Sequence, residues 1–120
     1  MAPSLYFYIP SGFIVMKESD FQKDLIKELK REFPGCIVLK NDANYIQGIP
    51  DLLILFKSYW AALECKRNET AEHQPNQDYY ISIMNDMSYA TFIYPENKEE
   101  VLDELQRSFK FRRTSRVSVS

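Results

Sequence analysis

Apolar residues recur every three or four positions in three segments of the chain, and this spacing predicts three amphipathic helices. The first is expected to start at Ser19, which forms a capping-box pattern with Gln22. The second is expected to begin at Gln74 and the third after Asn97. The predicted apolar faces are Phe21, Leu25, Leu29 and Phe33; Tyr79, Tyr80, Ile83, Met84 and Met87; and Val101, Leu102, Leu105 and Phe109.

Shorter apolar runs without helical spacing predict β-strands between the helices. These runs are residues 36–40, 51–56, 59–65 and 90–94. Only Lys57 and Ser58 separate the second run from the third, so those two strands are expected to form an antiparallel hairpin. The order of elements predicts an α/β fold with a central mixed β-sheet flanked by helices.

The two ends of the chain differ from the segment between them. Residues 1–17 hold two short apolar runs around a Pro-Ser-Gly turn and are expected to form a strand or hairpin appendage. Residues 18–109 contain the helices and the remaining strands, and a chain of 120 residues suits one such domain. Residues 110–120 are basic and are expected to form a disordered tail.

The net charge of −2 argues against a generally basic nucleic-acid binder, but the charge is unevenly distributed. Residues 107–120 contain five basic side chains and no acid, which leaves ten basic against seventeen acidic residues in the rest. A basic tail on an acidic body can reach for phosphates. A solvated end without a partner is an equally good interpretation of the same residues.

The cysteine count and the apolar runs indicate the cellular compartment of the protein. Cys36 and Cys65 both lie in apolar runs, where a free thiol behaves as a small buried hydrophobe, so a reducing compartment is expected. No apolar run approaches the roughly 20 residues of a membrane helix, and the first residues lack the features of a secretory signal. An intracellular protein is expected, in the cytoplasm of a bacterium or of a phage-infected host.

Charged residues stand at one end of the predicted hairpin, where buried strands normally carry none. Because side chains alternate along a strand, Glu64 and Lys66 are expected to share one face, with Cys65 on the other. The hairpin brings Asp51 beside Glu64, and two adjacent carboxylates repel unless one is protonated or a cation lies between them. The two acids, the Cys65 backbone carbonyl and water form a suitable oxygen site for Mg²⁺. Lys66 can then hold the attacking water or neutralise transition-state charge.

The two charged strings, Pro50-Asp51 and Glu64-Cys65-Lys66, also have purely structural interpretations. A Glu-x-Lys on a strand is commonly a cross-strand surface pair, and a Pro-Asp at a strand start is commonly a turn. Two observations favour the metal site. The flanking residues predict a buried sheet, in which unpaired charge is costly, and one hairpin joins the two strings.

Four strings of the sequence, spread over residues 18–94, occur in an order typical of one nuclease family. They are Glu18 before Phe21-Gln22, Gly48-Ile49-Pro50-Asp51, Leu63-Glu64-Cys65-Lys66 and Pro75-Asn76-Gln77. The arrangement resembles the PD-(D/E)XK nuclease superfamily, and within it the virus-type replication-repair nucleases (VRR-NUC) and the Holliday-junction-resolvase-like phage proteins. The resemblance implies a restriction-endonuclease-like α/β core and hydrolysis of DNA phosphodiester bonds with Mg²⁺, or Mn²⁺ as a substitute.

The resemblance also implies roles for individual residues. Asp51 and Glu64 correspond to the metal ligands, Lys66 to the catalytic lysine and Gln77 to an accessory residue of the site. Glu18 corresponds to the acid of the first helix, which touches the metal through water. If Ser19 is the N-cap, Glu18 lies just outside that helix, and either Asp20 or Asp24 is an alternative for its role.

The resemblance implies DNA, including branched DNA, as the partner. Tyr45 and Gln47, with Lys40 and Asn44, are expected to line a groove beside Asp51, and Arg67 to touch a phosphate next to the site. Symmetric cutting of a junction needs two sites, so a homodimer is a natural expectation. We therefore expect a structure-selective or nicking endonuclease of replication, repair or recombination. The alternative is a catalytically silent nuclease-like module that binds DNA or protein.

Overall fold

A four-stranded β-sheet forms the centre of the protein. The computed structural model describes residues 6–8 and 14–113, with side chains from residue 17 onward. In chain order the elements are β1 (Tyr6–Tyr8), β2 (Ile14–Met16), α1 (Glu18–Glu32), β3 (Ile37–Lys40), β4 (Leu52–Phe56), β5 (Tyr59–Cys65), α2 (Pro75–Met87), β6 (Tyr89–Ile93) and α3 (Lys98–Ser108). A single 3₁₀ turn, Pro95–Asn97, precedes α3.

The strand order in the main sheet is β3-β4-β5-β6. The strands β3, β4 and β5 pair antiparallel, and β4 and β5 form the predicted hairpin across the turn at Lys57 and Ser58. The strand β6 pairs parallel to β5, and α2 provides the crossover that a parallel pair requires. The predicted α/β fold with a central mixed sheet flanked by helices is thereby confirmed.

The main core lies between one face of the sheet, α1 and α3. Alternate residues of the strands point into it, so the apolar stripes of both helices are buried against them, as predicted. Three phenylalanines pack edge-on or tilted at its centre, with ring centroids 5.4–5.8 Å apart: Phe33, Phe56 and Phe109. Each fully buried side chain of this size contributes roughly 1.5–3 kcal/mol to folding.

The helix α2 covers only part of the opposite face. It contacts β5 and β6, and the small buried side chains of Ala62 and Ala90 on those strands lie outside the main core. The apolar face predicted for α2 is wrong at Tyr79 and Met87, which are 58% and 69% exposed. Its other members, Tyr80, Ile83 and Met84, are half-buried, and the helix has no fully buried residue. The strands β3 and β4 extend beyond α2, which leaves Ile37 and Leu39 exposed.

The first helix starts two residues earlier than predicted. Its N-cap is Lys17, whose carbonyl accepts the first helical hydrogen bond from the Phe21 N–H at 3.0 Å. The predicted capping box of Ser19 with Gln22 is therefore wrong. Glu18 becomes the first residue of α1, where a carboxylate interacts favourably with the helix dipole.

The start of the predicted basic tail belongs to the folded domain. Phe111 packs on the main core, and Arg113 is 4% exposed between α1 and α3. The Arg113 guanidinium forms ion pairs with three acids: Glu32 at 2.7 Å, Glu99 at 2.6 Å and Asp103 at 3.2 Å. A side chain held in this way is not available for phosphate, so the expectation of a disordered tail from residue 110 does not hold for residues 110–113.

The ends of the chain are described in part. The strands β1 and β2 pair antiparallel with Tyr6 opposite Met16, which agrees with two short strands in the predicted appendage. Residues 1–5, the predicted turn within residues 9–13, and residues 114–120 lie outside the described residues. No helix within the described part of the chain is long and apolar enough to cross a membrane.

Candidate active site at the end of the central hairpin

The pairing of β4 with β5 brings two acids together at the end of the sheet. Leu52 lies opposite Leu63, so Asp51 lies beside Glu64 just beyond the last strand pair. The Asp51 N–H donates to Glu64 Oε1 at 3.1 Å, and the Cys65 N–H donates to Asp51 Oδ2 at 2.9 Å. Each carboxylate thus accepts a hydrogen bond from the backbone of the neighbouring segment. The two acids lie side by side, as the hairpin predicts.

Lys66 lies next to the acids on the face that strand alternation predicts. Its side chain is almost completely buried, and its Nζ is 3.9 Å from Glu64 Oε2. The ammonium donates to the side-chain carbonyl of Gln77 at 2.8 Å and to the backbone carbonyl of Glu72 at 3.1 Å. A buried ammonium is costly unless it is hydrogen-bonded, and these partners hold it in one orientation.

Gln77 joins the acid and the lysine. Its Nε2 donates to Glu64 Oε2 at 2.9 Å, while its Oε1 accepts from the Lys66 ammonium. The same Oε1 accepts the Gln74 N–H at 3.0 Å and completes a capping box at the start of α2. The first turn of α2 therefore orients the site, and the structure brings Gln77 to the place that the sequence assigned to it.

Gln22 is a residue of the site that the sequence analysis missed. From α1, the Gln22 side chain lies close to the Asp51 carboxyl and the Cys65 thiol and lowers the pKa of both against the effect of burial. The sequence contains a signal for this position, since Gln22 follows Glu18 by four residues and shares its face of α1. Two glutamines, Gln22 on α1 and Gln77 on α2, thus lie beside the two acids.

Glu18 is the first-helix acid that faces the site. Part of its side chain is accessible to solvent, but burial of the carboxyl group, and then the negative charge of Asp51, raise the Glu18 pKa. Lys66 and Arg67 act in the opposite direction, which places both cations near it. Of the three candidate acids of the first helix, Glu18 interacts electrostatically with Asp51 and Glu64. Its role at the site stays a prediction.

The site concentrates negative charge in a poorly solvated place. Burial raises the pKa of Glu64 to about 8, and the nearby Asp51 carboxylate adds to this effect. Burial also raises the pKa of Asp51, although the Cys65 N–H and then Lys66 stabilise its charged form. Burial and the two acids raise the pKa of the Cys65 thiol as well, so this cysteine stays protonated. A bound cation would relieve the repulsion between the acids.

Metal-free protein is expected to lose stability as the pH rises from about 5 to about 8, and Glu64 is a main cause. Folded protein holds a proton on Glu64 up to about pH 8, whereas the unfolded chain releases it near 4.5. Because the folded state binds more protons in this window, the free energy of unfolding falls with rising pH, by up to about 1.4 kcal/mol per pH unit from this group. Urea unfolding in the presence of a chelator measures the slope.

Glu64→Gln is expected to have a shallower slope, because no carboxyl group titrates at this position. Glu69→Gln, in the exposed loop before α2, is the matched control and should keep the wild-type slope. Equal slopes for wild type and Glu64→Gln would contradict a raised pKa at Glu64.

The donor atoms at this place fit a hard divalent cation. Among the described residues, no group of three His, Cys, Asp or Glu side chains could hold a metal ion. The remaining donors are the two carboxylates and the Cys65 carbonyl, which points toward Asp51 because the N–H and C=O of one strand residue face the same edge. Mg²⁺ accepts few protein oxygens and keeps several waters, so this set suits it. Glu18 is then expected to contact a bound ion through a water molecule rather than directly.

Three of the predicted DNA-contact residues are exposed. Lys40 pairs with Leu52, the residue after Asp51, and its charge lowers the Asp51 pKa against the effect of burial. Arg67 directly follows Lys66 in the sequence and is exposed. Asn44 lies on an exposed turn, where its N–H donates to Asp42 Oδ1 at 2.8 Å. All three are accessible to a partner in solution.

Comparison of the chain with protein-family models, curated proteins and solved structures returns no match.

Proposed function

We propose that this protein is a Mg²⁺-dependent DNA endonuclease that hydrolyses phosphodiester bonds, with a structure-selective or nicking activity. The observation that carries the proposal is the hydrogen-bonded set of Asp51, Glu64, Lys66 and Gln77 at the end of the central hairpin. A sheet gains no stability from two adjacent buried acids. Groups with strongly perturbed pKa values placed together are typical of functional sites.

Each residue of the set has a chemical task in the proposed reaction. A divalent ion held by Asp51, Glu64 and the Cys65 carbonyl would lower the pKa of a bound water and stabilise charge on the phosphate. Lys66 holds a positive charge where negative charge develops on the phosphate oxygens, in a site that excludes most water. Gln77 keeps the Glu64 carboxylate and the Lys66 ammonium at a fixed separation.

The cations outside this set support a polyanionic substrate. Lys40 and Arg67 are exposed beside the acids, although the whole chain is slightly acidic. Positive side chains near a negative site can position a phosphate backbone without making the protein a general nucleic-acid binder. A small substrate would not need cations on both sides of the site.

The test is a panel of labelled DNAs: single strand, duplex, flap, splayed arm and four-way junction, each with Mg²⁺, with Mn²⁺ and with EDTA. We expect metal-dependent cleavage of at least one substrate and none in EDTA. Binding of these DNAs without cleavage in either ion would overturn the proposal and favour the silent binding module instead.

A further inference from the structure

A cavity of about 270 Å³ lies beside the candidate active site, between the loop that precedes β4 and the first turn of α2. We call it the amide cavity. It is lined by Ala43, Gln47, Gly48, Gln74, Pro75, Asn76 and Gln77. Gln77 belongs both to this lining and to the hydrogen-bonded set with Glu64 and Lys66, so a group in the cavity would lie next to the reacting phosphate.

The lining of the amide cavity is neutral. None of the described residues that line it carries a charge, which makes it a poor place for a phosphate group. Carbon atoms form most of its wall, and four side chains bring amide groups with donors and acceptors. Flat carbon surface with amides at the edge is the environment that proteins offer to an unpaired nucleobase, since Asn and Gln pair with base edges.

The volume of the cavity limits what can enter. Pockets for drug-sized ligands occupy about 300–1,000 Å³, so a cavity of 270 Å³ suits one ring system rather than a dinucleotide. A stacked base pair cannot enter such a space. A base would have to leave the duplex, or be unpaired already, to reach it.

The cavity is fixed in place by the loop that carries the first acid of the site. Gly48 has φ of +90°, and a Cβ at this position would overlap the Cβ of Asn76. The loop backbone therefore rests directly on the first turn of α2, three residues before Asp51. The same loop presents Tyr45, which is 85% exposed, as a ring on which a neighbouring base can stack.

We propose that the amide cavity receives one unpaired nucleobase adjacent to the scissile phosphate. The substrate class is then DNA in which a base is extruded or single-stranded at the cut. This inference rests on the proposed nuclease function and deepens it, because it names the feature of DNA structure that the site selects.

The test scans a single abasic nucleotide through a flap or junction DNA, one position at a time. Affinity is measured by fluorescence anisotropy in EDTA, and cleavage in Mg²⁺. We expect the abasic nucleotide to weaken binding about tenfold at one position next to the cut and less than twofold at distant positions. In the double variant Gln47→Ala, Asn76→Ala this positional effect should disappear. Ser82→Ala, exposed on the same helix, should retain it.

The outcomes separate the two proposals. Cleavage with the same abasic response in wild type and in the double variant would overturn the cavity assignment and leave the nuclease function standing. A positional effect on affinity without cleavage of any DNA would support the base site and overturn the nuclease function. Uniform affinity at all positions would overturn the base site whether or not the DNA is cut.

Discussion

Lys66→Met is expected to lower the rate of DNA cleavage by about 10²–10³-fold or more, the usual cost of losing one preorganised group that stabilises transition-state charge. Methionine has nearly the length and volume of the lysine stem, so the almost fully buried position stays filled. Gln77 and the Glu72 carbonyl lose the ammonium but remain in place. Single-turnover cleavage measures the effect, and thermal unfolding confirms that the variant is folded.

A second variant distinguishes the role of Lys66 from the role of the proposed metal ligands. Asp51→Asn keeps an oxygen acceptor for the Cys65 N–H but removes the charge, so it should lose both cleavage and the stabilisation that Mg²⁺ or Mn²⁺ gives the wild type. Lys66→Met should lose cleavage and keep the stabilisation by metal. Lys27→Met, exposed on α1, is the control and should cleave like wild type. Wild-type cleavage by either site variant would refute the assignment of the active site.

Arg113→Ala is expected to destabilise the fold by about 3–5 kcal/mol, the typical cost of breaking a buried ion pair from one side. The change leaves the buried Glu32 carboxylate without the guanidinium that contacts it at 2.7 Å. Glu32 is also the last residue of α1, where the helix dipole disfavours a negative charge. Chemical denaturation measures the loss, and the residues of the proposed active site are not altered.

Two further variants test the cause of this loss. Arg112→Ala, exposed and adjacent in sequence, should change stability by less than about 0.5 kcal/mol. The double variant Arg113→Met, Glu32→Leu should recover much of the lost stability, because an apolar pair can replace a buried ion pair. A double variant no more stable than Arg113→Ala would show that packing around residue 113, rather than the lost ion pair with Glu32, causes the loss of stability.

The sequence predicts the elements of the site well where chain connectivity alone decides the geometry. The two-residue turn at Lys57 forces β4 against β5, and this pairing alone brings Asp51 to Glu64. Strand alternation then fixes which side Lys66 takes. These are local constraints, and periodicity reveals them directly.

The features that the sequence analysis missed depend on contacts between distant segments. The sequence predicts a helix-capping role for Gln22, but in the fold its side chain lies close to the Asp51 and Cys65 side chains. In the sequence, Arg113 is one more cation of a basic tail. In the fold it forms ion pairs with Glu32 of α1 and Asp103 of α3. Tyr79 and Met87 follow a helical apolar pattern, yet both side chains are exposed although α2 packs on β5 and β6. Tertiary geometry decides all three cases.

The position of β3 has a practical consequence for handling the protein. In the described part of the chain this strand pairs with β4 on one side only, and it carries the exposed side chains of Ile37 and Leu39. An open apolar edge is the place where molecules first adhere during concentration or refolding. The strand has only four residues and ends in Lys40, two features that limit such sticking. We therefore expect Leu39→Lys, which replaces an exposed apolar side chain of this edge strand with a charged one, to raise the solubility of the concentrated protein.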